Sequence, residues 1–231
     1  MNSSLKKIIT IDGPAGAGKS TMARELARQL NWIYLDTGSL YRAVALAAKR
    51  HGVNVDDQGA SENLAQAVKL EVAANREGTS INLDGENVTP LLRSPEISRD
   101  AAFISRWPGV REVLFGLQRK LGDEGEVVAE GRDMGTVVFP DAALKLFLYA
   151  SPESRARRRF EELRAKGVQT NLDQVLSDII ARDDSDRKRE HSPLVEAADA
   201  LTIDSTNLNP DAVLKVMVNA FRCRFFAKTN D

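Results

Sequence analysis

The chain has 231 residues, 32 Lys+Arg against 33 Asp+Glu for a net charge of −1, and one cysteine, Cys223. Near-neutral charge argues against a nucleic-acid or membrane surface, and a lone thiol excludes an intramolecular disulfide and points to a reducing, cytosolic compartment. The opening MNSSLKK is too polar for a signal peptide, and no apolar run nears the ~20 residues of a membrane span.

Taken in order, Lys6 to Ile11 (KKIITI) reads as a buried strand, and Lys19 to Leu30 as a helix with Met22, Ala23, Leu26, Ala27 and Leu30 at helical spacing. Between them lies Gly13-Pro14-Ala15-Gly16-Ala17-Gly18-Lys19-Ser20-Thr21, whose first eight residues fit G-x-x-x-x-G-K-[ST]. Strand, glycine-rich turn and helix together are the setting in which this pattern binds a nucleoside triphosphate. Glycines let backbone N–H groups converge on phosphate oxygens, and the helix N-terminus adds partial positive charge. Lys19 then reaches the β- and γ-phosphates, and the Ser20 hydroxyl holds Mg²⁺.

Trp32 to Asp36 reads as a second strand. Thr37-Gly38-Ser39 breaks it and caps a helix carrying Leu40, Ala43, Val44, Ala47 and Ala48 on one side. This β-α-β-α order argues for a parallel sheet covered by helices. From Val68 to Arg93 the pattern changes to short alternation, with turn signals at Arg76-Glu77-Gly78 and Asp84-Gly85, as in a small inserted antiparallel sheet. Helix resumes over Pro108 to Leu121. Val127 to Ala129 reads as a strand ending in Glu130-Gly131-Arg132-Asp133, and Leu144 to Tyr149 as another. Ser151-Pro152-Glu153 has the cap, proline and early acid of a helix start.

Arg155, Arg158 and Arg159 follow on one helix face. After a polar stretch from Lys166 to Asn171, a second helix starts near Leu172 and buries Val175, Leu176, Ile179 and Ile180. Its continuation places Arg182, Asp186 and Arg189 on a neighbouring face. Ala200 to Ile203 is the last strand and Pro210 to Ala227 the closing helix, with Val213, Val216, Met217, Ala220 and Phe221 inward.

A neutral chain that gathers arginines around a phosphate-binding loop suits phosphoryl transfer, where catalysis is mostly positioning and electrostatic stabilisation. The residues alone leave open which small acceptor is used, and whether the chain is a kinase or a nucleotide-dependent switch. His51 and His191 are expected at the surface, without catalytic duty.

Six stretches carry a resemblance: ITIDGPAGAGKST, LDTGSLYR, EGRDMGTVVFPDA, RARRR, RDDSDRKR and LTIDST. Together they resemble bacterial cytidylate kinase, in the nucleoside monophosphate kinase group. The resemblance implies an α/β P-loop kinase core over 1–36, 106–152 and 191–231, a CMP-binding lobe with the inserted antiparallel sheet over 37–105, and an arginine-rich helical lid over 153–190. It implies ATP as phosphoryl donor with Mg²⁺, CMP and dCMP as acceptors, and a monomeric cytoplasmic enzyme of pyrimidine metabolism. By the same resemblance Arg42 and Arg132 hold the CMP phosphate; Asp133, Arg111, Arg189 and Thr37 surround the cytosine; Arg182 and Asp186 face the sugar. Lys19, Arg132, Arg158 and Arg182 serve catalysis, Arg158 from the lid. Two departures stand out. Thr37 occupies a position where some members have serine, and Ala102 one where some offer a serine to the base, a contact that Ser105 could replace.

Overall fold

The computed structural model describes residues 6–76, 78–123, 125–165 and 167–226. Glu77 of the expected turn, Lys166 of the polar stretch, Ala227 of the closing helix and the opening residues 1–5 lie outside them.

Five parallel strands form the main sheet: β1 (Lys6–Asp12), β2 (Ile33–Asp36), β6 (Val127–Glu130), β7 (Ala142–Tyr149) and β8 (Leu201–Asp204). Their spatial order is β2-β6-β1-β7-β8. β1 is central, pairing Ile9 with Val128 on one side and with Leu144 on the other. Burial on both faces explains why β1 and β6 are runs of β-branched and small residues rather than alternating ones: Ile8, Ile9, Ile11, Val127, Val128 and Ala129 are all fully buried. Helices α1 (Lys19–Leu30) and α8 (Pro210–Phe226) cover one face, where Met22, Leu26, Trp32, Val213, Met217 and Phe221 pack together. Because the strands are parallel, Asp12, Asp36 and Glu130 end at one edge of the sheet, the edge where open α/β sheets hold ligands.

The inserted sheet is present as β3 (Leu70–Ala74), β4 (Thr79–Leu83) and β5 (Glu86–Asn87), antiparallel in that order. The Asp84-Gly85 turn between β4 and β5 has both residues at positive φ, 51° and 86°, as a two-residue hairpin requires. Around it lie α2 (Thr37–His51), α3 (Gln58–Ala67), α4 (Pro95–Ile104) and α5 (Pro108–Gly122). They share a second apolar cluster of Leu40, Val44, Ile81, Leu83, Ile97, Ile104, Val110 and Leu114. α6 (Pro152–Ala165) and α7 (Leu172–Lys188) form a third layer around Ala156, Val175 and Ile179.

Several expectations need correction. α2 is buried nearly all round, Ala45 and Leu46 included, because it is sandwiched between the inserted lobe and the main sheet. Its cap is Asp36, whose Oδ1 accepts Ser39 N–H at 3.1 Å; Thr37 is already helical. α3 and α4 were not anticipated, although Ser94-Pro95-Glu96 repeats the start signal of Ser151-Pro152-Glu153 and Ser94 Oγ accepts Ile97 N–H at 3.2 Å. Ile180 is exposed, since α6 alone covers α7 and leaves one narrow stripe. Val216 is exposed and Leu214 buried, because the inward face of α8 runs along Val213, Met217 and Phe221. Arg189 lies just beyond α7, in extended backbone.

Candidate active site

The glycine-rich loop turns off the end of β1. Gly13 has φ +147°, and a Cβ there would lie 2.1 Å from the Leu148 carbonyl oxygen, so no side chain fits. Gly18 caps α1 in the left-handed conformation and contributes no side-chain cap, leaving the first N–H groups of α1 directed at the loop. Lys19 is buried, with Nζ donating to the Pro14 carbonyl at 2.8 Å. Burial, and next the charge of Arg132, push its pKa down to about 7. Ala17 is buried, Ser20 half-buried and Thr21 exposed.

Beside the loop, Glu130 closes β6. It accepts the Tyr34 hydroxyl at 3.0 Å and lies within hydrogen-bonding reach of Ser20. Burial raises its pKa, with the Asp36 charge adding to the effect. Asp36 also pairs with Arg42 at 3.4 Å.

Past Glu130 the chain crosses to a π-helical turn, Met134–Val138, a rare local form that recurs at functional sites. Asp133 precedes it, is buried, and forms an ion pair with Arg111 Nη2. Arg111 Nη1 donates to the Ser105 carbonyl at 3.1 Å, and its guanidinium lies 5.5 Å from the Tyr41 ring centroid and 5.1 Å from that of Phe115. Arg132 Nε donates to Asp186 Oδ2 at 2.8 Å. Arg189 Nη1 donates to Ser105 Oγ at 3.4 Å, and its Nη2 lies 3.6 Å from Asp186 Oδ1. Burial alone would lift the Asp186 pKa, but Arg132, Arg189 and Arg182 hold it below the usual carboxylate value.

Arg182 completes the cluster. Its Nε is buried and makes no hydrogen bond among the described residues. Burial first, and then Arg132, push its pKa down to about 10, against the pull of Asp186. A half-buried guanidinium crowded by Arg132, Arg42 and Arg189 is a stored demand for an anion.

The residues singled out from the sequence are thus drawn together from widely separated segments. Lys19, Arg42, Arg132, Arg182, Asp186 and Arg189 interact electrostatically at one sheet edge, with Arg111 and Asp133 adjoining. Thr37 is there too, its hydroxyl donating to the Glu130 carbonyl at 2.6 Å. Ser105 Oγ accepts from Arg189 and donates to Ala102 O at 2.9 Å. His51 and His191 are exposed. The arginine triad of α6, in contrast, does not act as one face. Arg155 is fully buried on Asp183, Arg158 Nη2 donates to the Ser205 carbonyl, at 2.5 Å, and Arg159 bonds to Glu162 at the surface. Packing against different neighbours separates residues that helical spacing places together. Sequence reading passed over Asp12 and Tyr41. Asp12 had a visible signal, an acid closing a buried strand just before the glycine loop; Tyr41 had none beyond its place between Thr37 and Arg42.

The cytidylate kinase family model matches residues 9–223. A cytidylate kinase of Pelotomaculum thermopropionicum is 49% identical over 91% of this chain and 93% of its own length. One from Syntrophotalea carbinolica is 46% identical over 91% of this chain and 90% of its own. Among solved structures, an uncharacterised protein of Eubacterium ventriosum shares the fold, with a TM-score of 0.50 and 14% identity over 92% of this chain and 96% of that one. With matches spanning the glycine-rich loop, the inserted lobe and the arginine cluster alike, the chain belongs to the cytidylate kinase family.

Proposed function

We propose that this protein transfers the γ-phosphoryl group of ATP to CMP, and to dCMP, giving the diphosphate and ADP. Beyond family membership, one observation carries the reading. A glycine-rich loop with a buried lysine lies beside an arginine cluster in which Arg182 Nε is buried without a hydrogen bond among the described residues. That is one phosphate site facing another.

In this reading Gly13 to Thr21 wraps the ATP phosphates and Lys19 leaves Pro14 O for the β/γ oxygens. Arg42, Arg132 and Arg182 take the CMP phosphate. Asp186 faces the sugar with Arg182, while Asp133, Arg111, Arg189 and Thr37 frame the cytosine. An acceptor phosphate oxygen attacks the γ-phosphorus, the bond to the β–γ bridging oxygen breaks, and its electron pair stays on ADP. A phosphate monoester with a second pKa near ~6 is already largely ionised at neutral pH, so no general base is required. The growing charge meets Lys19, Arg132, Arg182 and, when α6 and α7 close as a lid, Arg158. Two apolar clusters on the main sheet, one in the inserted lobe and one between α6 and α7 support a division into core, CMP lobe and lid, with α5 spanning the first two through Leu114 and Phe115.

No three metal-ligating side chains cluster among the described residues. A hydroxyl backed by a carboxylate, Ser20 with Glu130, instead fits a hard cation that arrives on the nucleotide and keeps most of its waters. Mg²⁺ held by Ser20 would supply charge neutralisation on the phosphate oxygens. A coupled ADP assay across CMP, dCMP, UMP, AMP, GMP and shikimate tests the proposal. CMP and dCMP should lead; turnover independent of any acceptor would overturn it.

A further inference from the structure

Arg155 has no exposed surface, although Arg157 and Arg164 of the same helix reach solvent. Its Nε donates to the Ala150 carbonyl at 2.8 Å, and Nη1 donates to the Ala15 carbonyl at 3.0 Å and to Asp183 Oδ1 at 3.1 Å. Nη2 donates to Asp183 Oδ2 at 2.6 Å. One guanidinium therefore joins the glycine-rich loop, the exit of β7, and α7.

Each end of this connection has a consequence. At the loop, the Ala15 carbonyl and the Gly16 N–H belong to one planar peptide unit, so neither turns without the other. A triphosphate that draws the Gly16 N–H toward its oxygens must tilt the carbonyl that Arg155 holds. Gly16 also backs onto this arginine, since an added Cβ would lie 3.4 Å from Arg155 Cβ. At α7, Asp183 directly follows Arg182, and Asp186, one turn on, holds Arg132. A helix moves its residues together, so a shift of Asp183 is a shift of the acceptor-phosphate arginines.

We propose that the Arg155–Asp183 pair is a positioning device that transmits occupancy of the glycine-rich loop to the acceptor site, so that the two nucleotides bind cooperatively. The inference rests on the reading of the two sites given above. A pair that only fastened α6 to α7 would need Asp183 alone; recruiting the Ala15 carbonyl is what ties it to the donor site.

Removing one partner of a buried pair strands a charge, whereas replacing both with apolar residues of similar volume is often neutral or stabilising. The test variant is therefore the double replacement Arg155→Met with Asp183→Leu, and Asp183→Asn alone is the second. CMP is titrated calorimetrically into each protein, with and without a saturating non-hydrolysable ATP analogue and Mg²⁺. In the unaltered protein the analogue should tighten CMP binding about 5- to 150-fold, the usual span of coupling between sites. In the double variant CMP alone should bind within about threefold of the unaltered protein, while the tightening falls below about twofold. Tightening that persists in a variant with a native melting transition overturns the inference, and so does its absence from the unaltered protein. If the double variant does not fold, Asp183→Asn is read by the same two outcomes, because it keeps the shape and one acceptor oxygen. Failure of the unaltered protein to bind CMP would overturn the acceptor reading and this inference with it. If the unaltered protein binds CMP but the analogue does not tighten it, the inference alone is overturned.

Discussion

Asp12 Oδ2 accepts the Gly135 N–H at 2.7 Å while its Oδ1 accepts the neighbouring Met134 N–H at 2.9 Å. The residue after Asp12 opens the glycine-rich loop, and the residue before Met134 is Asp133. One carboxylate thus pins the start of the glycine-rich loop to the turn that follows Asp133. Two N–H donors favour its charged form, but burial outweighs them and the nearby Asp133 adds to it, so the pKa is pushed up to about 6.

The sign of the pH dependence follows. Between about pH 4 and 6 the folded chain keeps a proton on Asp12 that an unfolded chain, with a pKa near ~3.9, has released. The stability contributed by this group is full below about pH 4 and is lost as pH rises through about 6. Asp12→Asn cannot titrate. The stability margin of the unaltered protein over Asp12→Asn should narrow by on the order of 2–3 kcal/mol from pH 4 to 6.5 and level off above. Melting temperatures across that range check it; a margin flat with pH would show that the buried carboxylate is ionised throughout.

Lys19→Met removes the one lysine of the loop and the hydrogen bond to Pro14. Because the charge is needed most as the phosphoryl group transfers, kcat should fall about a hundred- to a thousand-fold. CMP affinity should change far less. Steady-state kinetics within tenfold of the unaltered protein would remove the loop from the chemistry.

Arg182 offers a test in which stability and activity move in opposite directions. Its Nε is buried without a hydrogen bond among the described residues, and Arg132 and Arg42 repel its charge. Arg182→Gln should therefore stabilise the substrate-free protein by about 1–3 kcal/mol, the scale of an unsatisfied buried polar group. At roughly 2–4 °C per kcal/mol this is readable in a thermal melt. The same change should lower kcat/KM for CMP by about a hundredfold or more, since a charge facing the transferring group is gone. A variant that is both less stable and fully active would mean that Arg182 is structural.

Asp133 carries the expected choice of base. Its carboxylate can accept from the cytosine amino group, whereas uracil would present a second acceptor with no proton between them. Asp133→Asn should bring the CMP/UMP ratio of kcat/KM toward one, chiefly by losing CMP activity. The change also strands Arg111, whose partner is Asp133, so a destabilisation of about 3–5 kcal/mol is expected. For that reason the ratio, not the absolute rate, is the measurement. An unchanged ratio would place base recognition elsewhere.

Periodicity and local signals made much of this protein legible before any coordinates. KKIITI, VVA and LKLFLY announce buried strands because parallel strands covered on both faces need apolar residues throughout. Gly13 to Ser20 names its own ligand class, since few other sequences place backbone amides, a lysine and a hydroxyl at a helix start. Asp84-Gly85 likewise foretold a hairpin turn from two residues that tolerate positive φ. These are short-range properties, and the chain itself carries them.

The fates of individual arginines are another matter. Helical spacing put Arg155, Arg158 and Arg159 on one face, yet one is sealed in the interior, one rests on Ser205, and one bonds at the surface to Glu162. Asp12 and Tyr41 gained their places only when the 134–135 turn and Arg111 were brought against them across the fold. Which partner a long charged side chain meets depends on residues far away in the chain, and its burial sets whether its charge is satisfied or held in reserve. The amino-acid order by itself determined the strand–loop–helix that binds phosphate and the family to which the chain belongs. Only the tertiary structure decided that Arg155 braces the loop while Arg182 Nε is buried without a hydrogen bond among the described residues, because both outcomes are set by distances between segments that no local pattern encodes.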